Sequence, residues 1–353
     1  VVEHMGGAFP ELKRDPQKVR DQIYDEEAAF LRTLKRGITL FTRIASGLKE
    51  KGLTVVSGDD AYDLHQTHGV LIDITQQMAA EQGLTVDVAG FEQAMEEAKK
   101  RTREGSKKFT VTAVKGELPP TDDSPKYEPG AITAKVLGWV KDDTVVTSGT
   151  LKAGETVALL LDRTNFYAEQ GGQVGDTGTI RSASGADFEV RDTQRAGETV
   201  LHDGVLHDGE LKVGDTVELL QTTTRRIAIM RNHTATHLLN LALKQVLGGH
   251  VEQKGSLVDE QKTRFDFSHD RPVTPEELRE IERRVNRQVV LDQPVTAHTL
   301  PLAKAKELPG VRAVFGEKYP DPVRVVLVGA ETPEKANLDN SVEFCGGTHL
   351  PRT

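Results

Sequence analysis

At 353 residues, 37% of them apolar and 28% charged, the chain has the composition of an ordinary soluble protein and length enough for two or three domains, each with its own core. A net charge of −9 argues against a surface coated in basic groups for nucleic acid, but leaves room for local patches. No apolar run reaches the length of a membrane span, no signal peptide is visible, and a single cysteine cannot close an internal disulfide, so a reducing, cytoplasmic location without a membrane partner is expected.

The chain opens on Val1-Val2-Glu3-His4-Met5-Gly6-Gly7, which reads as the middle of something longer, so an internal fragment is expected. From 15 to 51, apolar residues recur every three or four positions (Val19, Ile23, Phe30, Leu31, Leu34, Ile38, Phe41, Ile44, Leu48), predicting a long amphipathic helix with Asp15 as N-cap, Pro16 in its first turn and Gly52 as its stop. Shorter helices are predicted over 57–64, 73–82 and 88–103. The last of these ends in Lys99-Lys100-Arg101-Thr102-Arg103, followed by Lys107-Lys108, a basic run that fits either phosphate contacts or a solvated helix face.

From Phe109 the period changes to that of strands, beginning with Val111-Thr112-Ala113-Val114. Strand-like runs at 131–140, 143–148, 156–161, 177–182, 187–192, 199–205 and 216–220, separated by turn residues, predict a small barrel. Within it, the run from Thr164 to Gln173 followed by Asp176 is too polar and too glycine-rich for a plain strand. Gly171, Gly172 and Gln173 form either a tight turn or a loop that brings backbone N–H groups against a ligand.

Beyond Thr222 helix and strand mix: a helix over 224–247, a strand pair over 256–268, a helix over 274–290 begun by Thr274-Pro275-Glu276-Glu277, a short helix over 302–307, a buried strand over 323–328 and a strand over 341–344. The first of these helices carries Arg225, Arg226 and Arg231 and also His233 and His237, which stand on one face because 3.6 residues per turn stacks i over i+4. Cys345 and His349 repeat the spacing behind the last strand. Together the two pairs have the number and chemistry of the donors in a tetrahedral zinc site. Such pairs are common by chance. The weight here comes from the sole cysteine falling in the second pair beside Gly346-Gly347. The pairs lie 112 residues apart, unlike the local ligand sets of structural zinc, which tilts the ion toward function. Four protein donors nevertheless fill a tetrahedron, so either the coordination expands for a substrate group or one of the four is not a ligand.

Taken together, His233-Thr234-Ala235-Thr236-His237-Leu238-Leu239, Gln253-Lys254-Gly255-Ser256, Arg264-Phe265-Asp266-Phe267-Ser268-His269, Phe315-Gly316-Glu317-Lys318-Tyr319 and Cys345-Gly346-Gly347-Thr348-His349 resemble, in order and spacing, the editing domain of the alanyl-tRNA synthetase family. Phe166 to Asp176 is similar to that family's glycine-rich segment, and the helical N-terminal part is similar to its tRNA-recognition region. The resemblance implies a multi-domain α+β protein: a helical tRNA-recognition domain (1–108), a β-barrel subdomain with a glycine-rich loop (109–221) and an α+β, zinc-binding editing domain (222–353). It implies hydrolysis of mischarged Ser-tRNA(Ala) and Gly-tRNA(Ala), with one zinc ion on His233, His237, Cys345 and His349 orienting the substrate amine or polarising water. Thr236 would hydrogen-bond the serine hydroxyl and Gln253 would hold water or substrate; the plain alternatives are a mid-helix threonine bonded to its own backbone and a surface amide. Contacts to the tRNA(Ala) backbone would come from Lys99, Lys100, Arg101, Arg225 and Arg226. The class II site that uses ATP and alanine is not found in the sequence, so those ligands are expected to engage only a missing N-terminal domain.

One stretch departs from the family. Gln66-Thr67-His68-Gly69-Val70-Leu71 stands where the family usually has Asp-Thr-Tyr-Gly-Phe-Pro, so Gln66 replaces an acid that helps read a G·U pair, and any reading would use different bonds. A second reading is a non-catalytic tRNA-binding scaffold with a structural zinc; a third, a free-standing trans-editing hydrolase, is disfavoured because such a protein has little use for the long helical segment.

Overall fold

The computed structural model describes residues 5–9, 16–105, 114–128, 130–313 and 319–353. It divides into two compact units, Val1–Lys107 and Lys108–Thr353. The N-cap expected at Asp15, most of the strand expected at 111–114 and most of the motif at 315–319 lie outside the described residues, as do the side chains of Lys99, Lys100 and Arg101.

The first unit is helical, as its periodicity predicts. Helix α1 (Pro16–Glu50) stops at Gly52, whose φ of +67° suits glycine. Strand β1 (Val55–Val56) leads into α2 (Gly58–Gln66), where the Ser57 side chain caps the helix by accepting from Asp60 N. Helix α3 (Ile72–Glu81), strand β2 (Thr85–Val86) and α4 (Val88–Gly105) follow, and β1 pairs with β2 in parallel. Phe41, Ala45, Val56, Leu64, Val70 and Leu84 form the core. Gln66 is exposed at the end of α2, and His68 is partly exposed two residues beyond.

The second unit begins with nine strands: β3 (Ile132–Lys141), β4 (Thr144–Val146), β5 (Thr150–Lys152), β6 (Thr156–Leu161), β7 (Gly178–Ser182), β8 (Asp187–Ala196), β9 (Thr199–Asp208), β10 (Glu210–Lys212) and β11 (Thr216–Gln221). Six of them close a barrel in the order β3-β6-β9-β8-β7-β11, with β11 returning to β3 at Val217↔Ala134. Strand β4 extends β3 outside the closed ring, and β5 pairs with β10. The interior holds Trp139, Leu159, Leu161, Phe166, Ile180, Phe188 and Leu219. β8 and β9 run longer than their sequence predicts: Thr193-Gln194-Arg195 read as a loop, yet they pair with His202, Leu201 and Val200 up to a turn at Gly197.

The chain continues through α5 (Thr223–Leu247), the hairpin β12 (Gln253–Val258) and β13 (Thr263–Phe267), α6 (Pro275–Val290), β14 (Val295–Leu300), α7 (Leu302–Lys306), β15 (Val311–Arg312), β16 (Val323–Val328) and β17 (Ser341–Phe344). The capping box predicted at Thr274 is present, with Glu277 reciprocating. The last sheet has the order β14-β16-β17-β15, so β17 sits inside it and delivers Cys345 at its end. The fold is thus mixed α+β, with a closed six-stranded barrel and seven α-helices among the described residues.

Candidate metal centre

His233 and His237 lie one turn apart on α5, buried, with ring centroids 5.3 Å apart. The loop after β17 brings the His349 ring to 4.3 and 4.5 Å from theirs, and Cys345 Sγ to 3.4 Å from both His233 Nε2 and His349 Nε2. The four residues each offer a donor atom within 4.8 Å of the others. Metal–sulfur and metal–nitrogen bonds of about 2.3 and 2.05 Å in a tetrahedron place S and N roughly 3.5 Å apart. The observed separations fit that figure. Among the described residues His237 Nδ1 is buried with no hydrogen-bond partner, a nitrogen that a cation could satisfy.

The electrostatics favour the same reading. Burial holds His233 and His349 well on the neutral side and lowers His237 to about 3, so all three imidazoles are in the form that ligates. Burial also pushes the Cys345 thiol up to about 11; binding a cation must therefore release a proton there. His349 Nδ1 lies 3.3 Å from Thr234 Oγ1, which itself donates to Met230 O. His237 Nε2 faces the buried Glu343 carboxylate at 3.8 Å, and Asn240 donates to the other oxygen of that carboxylate. Such outer partners are how proteins aim metal-binding imidazoles.

The Cys345 loop is held from outside. Arg324 on β16 donates to the carbonyls of Cys345 (2.7 Å) and Gly347 (3.0 Å), its guanidinium stacks 4.1 Å over the Tyr127 ring, and Tyr127 donates its hydroxyl to Gly346 O. Gly347 has no room for a side chain, because a Cβ there would stand 2.0 Å from His233 Cε1. Gly347→Ala is expected to push the loop off α5 and cut metal affinity at least about tenfold, a disturbance of ligand support of the kind that costs 10–100-fold, read by competition with a chromophoric chelator.

The glycine-rich loop reaches this centre from the barrel. Gly171 and Gly172 have φ of +60° and +83°, and a Cβ on Gly172 would meet Ser256 Oγ at 2.4 Å. The buried Gln173 side chain touches both His233 and Thr348, a link with no sequence signal beyond the glycines beside it. Tyr127 and Arg324 carried no signal either.

The other expected residues are placed differently. Thr236 is buried and its hydroxyl lies 2.8 Å from Asn232 O and 2.7 Å from Thr263 Oγ1, so it bonds its own helix and a neighbouring threonine. Gln253 is partly exposed and pairs with Phe267, whereas Thr263 pairs with Val258, so Gln253 and the Thr236 contact stand at opposite ends of the hairpin, roughly 16 Å apart at the usual rise of a strand. Arg226 is buried, with its guanidinium bonded to both Asp176 carboxylate oxygens and to the carbonyls of Lys126 and Asn165. These bonds occupy four of its five N–H groups and the side chain is buried, so Arg226 is not carried into the proposed phosphate footprint. Arg225 donates to Gly175 O and pairs with Glu260 near the surface. A second His/Asp group, His250, His269 and Asp270, lies at the open end of the hairpin, just before β12 and just after β13, and a cavity of about 360 Å³ between α5 and α6 is lined by none of the four metal donors.

The sequence of this chain matches a known class of protein. The family described as tRNA synthetases class II (A) matches residues 1–225, and the chain belongs to it. Over its whole length the chain is 42% identical to an alanine–tRNA ligase of Delftia acidovorans, covering 38% of that protein. It is likewise 40% identical to the mitochondrial alanine–tRNA ligase of Saccharomyces cerevisiae (38% covered) and 42% identical to the alanine–tRNA ligase of Roseiflexus castenholzii (40% covered). The chain therefore spans about two fifths of the length of the curated relatives it matches. The metal group lies beyond the family match and inside these alignments.

Proposed function

We propose that this chain is the proofreading part of an alanine–tRNA ligase, hydrolysing Ser-tRNA(Ala) and Gly-tRNA(Ala) in the cytoplasm, with a single zinc ion on His233, His237, Cys345 and His349. The carrying observation is the convergence of four metal donors from α5 and the loop behind β17, with the barrel's glycine-rich loop closing on them. Residues 1–108 would bind tRNA(Ala), 109–221 would present the loop and 222–353 would hold the substrate.

When bound, zinc would supply a positive centre that orients a substrate amine or polarises water. The chain's own part is positioning and selection, because an aminoacyl ester is already activated. A serine hydroxyl entering the Thr236–Thr263 pair gains a hydrogen bond worth about 1 kcal/mol, and alanine's methyl gains none. The two threonines already satisfy each other, so the pair rewards serine more than it penalises alanine. Gln253, with its side chain partly exposed, is the proposed contact for the rest of the esterified end.

The test is ester loss from Ser-tRNA(Ala) against Ala-tRNA(Ala) with zinc-loaded protein; intact Ser-tRNA(Ala) in the presence of bound tRNA and zinc would sink the proposal. A second reading, a tRNA-binding scaffold with a structural ion, is favoured by the four protein donors, which already fill a tetrahedron. Chelation separates the two: the scaffold would melt in its last part with no hydrolysis to lose, whereas the editing site would lose hydrolysis while most of the fold survives. Binding to tRNA(Ala) through Lys99, Lys100, Arg101 and Arg225 should weaken steeply with salt, with a slope of about −3 in log–log form for four phosphate contacts, and a flat response would remove these residues from the footprint.

A further inference from the structure

The geometry assigns Gln173 a role beyond that of a substrate-loop residue: its carboxamide selects the His233 tautomer that offers Nε2 to a metal, which makes Gln173 a positioning residue of the metal centre. The assignment takes the four donors as a metal site and otherwise stands apart from the proposed hydrolysis.

The argument begins with Thr348 N, which donates to Gln173 Oε1 at 2.9 Å. A backbone N–H can only donate, so the atom it meets must be the amide oxygen and not the NH2. The other end of the amide agrees, since Gln173 Nε2 donates to Thr348 Oγ1 at 2.9 Å. His233 Nδ1 lies 2.7 Å from the same oxygen. An amide oxygen carries no hydrogen, so Nδ1 must carry the proton and donate it. The lone pair of the neutral ring is then on Nε2, the nitrogen 3.4 Å from Cys345 Sγ. One carboxamide thus fixes the protonated nitrogen of a ring from α5 and grips the Cys345 loop through Thr348.

The placement of the amide is itself fixed. Gln173 is fully buried, its backbone N and O are paired with Gln170, and the neighbouring Gly172 O and Val174 N are bonded to Val258. Gly347 clears the approach: a Cβ there would stand 2.9 Å from Gln173 Oε1 and closer still to the His233 ring. Among the described residues, the hydrogen bond that runs from the barrel to a side chain of the donor set is the one from His233 to Gln173.

The test reads nitrogen, not turnover. In metal-free wild-type protein labelled with 15N histidine, His233 should show a single Nδ1–H tautomer, and an Nε2–H tautomer overturns the assignment whatever any variant does. Gln173→Leu keeps similar volume without the acceptor; it should give mixed His233 tautomers and weaken zinc and Co2+ affinity 10–100-fold in competition with a chelator, while Gln173→Glu, which keeps an acceptor oxygen, stays within about threefold of wild type. A folded Leu variant with wild-type affinity and an unchanged tautomer refutes the role. Should the Leu variant not fold, the wild-type tautomer and the Glu variant decide, and a folded Glu variant that loses tenfold or more in affinity counts against it. A wild-type protein that shows the Nδ1–H tautomer and binds zinc but leaves Ser-tRNA(Ala) intact defeats the proposed hydrolysis and leaves this assignment standing.

Discussion

His233→Ala is expected to abolish zinc retention and to slow deacylation of Ser-tRNA(Ala) at least about 100-fold, the scale on which removal of a central electrostatic contributor acts. The side chain is buried, is one of four donors, and is hydrogen-bonded to Gln173. Truncation also leaves a cavity costing a few kcal/mol, so the loss has to be separated from unfolding. Cys345→Ser serves that purpose: it changes one atom of similar size and exchanges a soft donor for a hard one, and it should lose zinc with little change in a melting curve recorded with chelator. Metal content by mass spectrometry and ester half-life on the same preparations check both. A Cys345→Ser protein that binds zinc as before would remove the sulfur from the donor set.

The second large effect concerns Arg226, and it is one of stability. Arg226 and Asp176 are buried at 6% and 1% exposure and joined by charge-assisted hydrogen bonds, with two further guanidinium donors on backbone carbonyls. Arg226→Met would strand a carboxylate away from water, and breaking one side of such a pair costs about 3–5 kcal/mol. Denaturant unfolding should show that loss. The double variant with Asp176→Asn should recover part of it, since the uncompensated charge is then gone. The salt dependence of tRNA binding, by contrast, should not change. If Arg226→Met lowers the salt slope by about one and leaves stability intact, the arginine faces phosphate after all.

That arginine also shows where the sequence stops being informative. Thr224-Arg225-Arg226 has the look of a basic surface step at the start of a helix, and nothing within twenty residues says otherwise. Its partner is 50 positions away, in a loop between two barrel strands. Gln173 stands out as part of the glycine-rich loop, but its side-chain contact to Thr348 spans 175 positions and leaves no local mark. Local pattern served well where the determinant is local: the apolar run Val323–Val328 became a buried strand, the Thr274-Pro275-Glu276-Glu277 cap formed, and the i, i+4 histidines on α5 came together. Cys345 and His349 have the same spacing but lie in a loop, so here the glycines, and not a helical face, made the approach possible. Thr236 returns its hydroxyl to the preceding turn, a bond its mid-helix position announces, and meets a second threonine that no spacing in the sequence announces.

The bonds between Val258 and the Gly172–Val174 stretch have a consequence for how this chain can change in length. A two-stranded hairpin is marginal alone, and here the barrel loop lies along the edge of β12, with Val258 N donating to Gly172 O at 2.7 Å and Val174 N donating to Val258 O at 3.1 Å. A strand edge accepts substitution more readily than insertion, because one added residue turns every following side chain to the opposite face. An extra residue after Gly172 would turn the next side chain away from His233. The loop can therefore tolerate changes of residue type at its exposed tip around Gly171, but its residue count is bound to the register of β12.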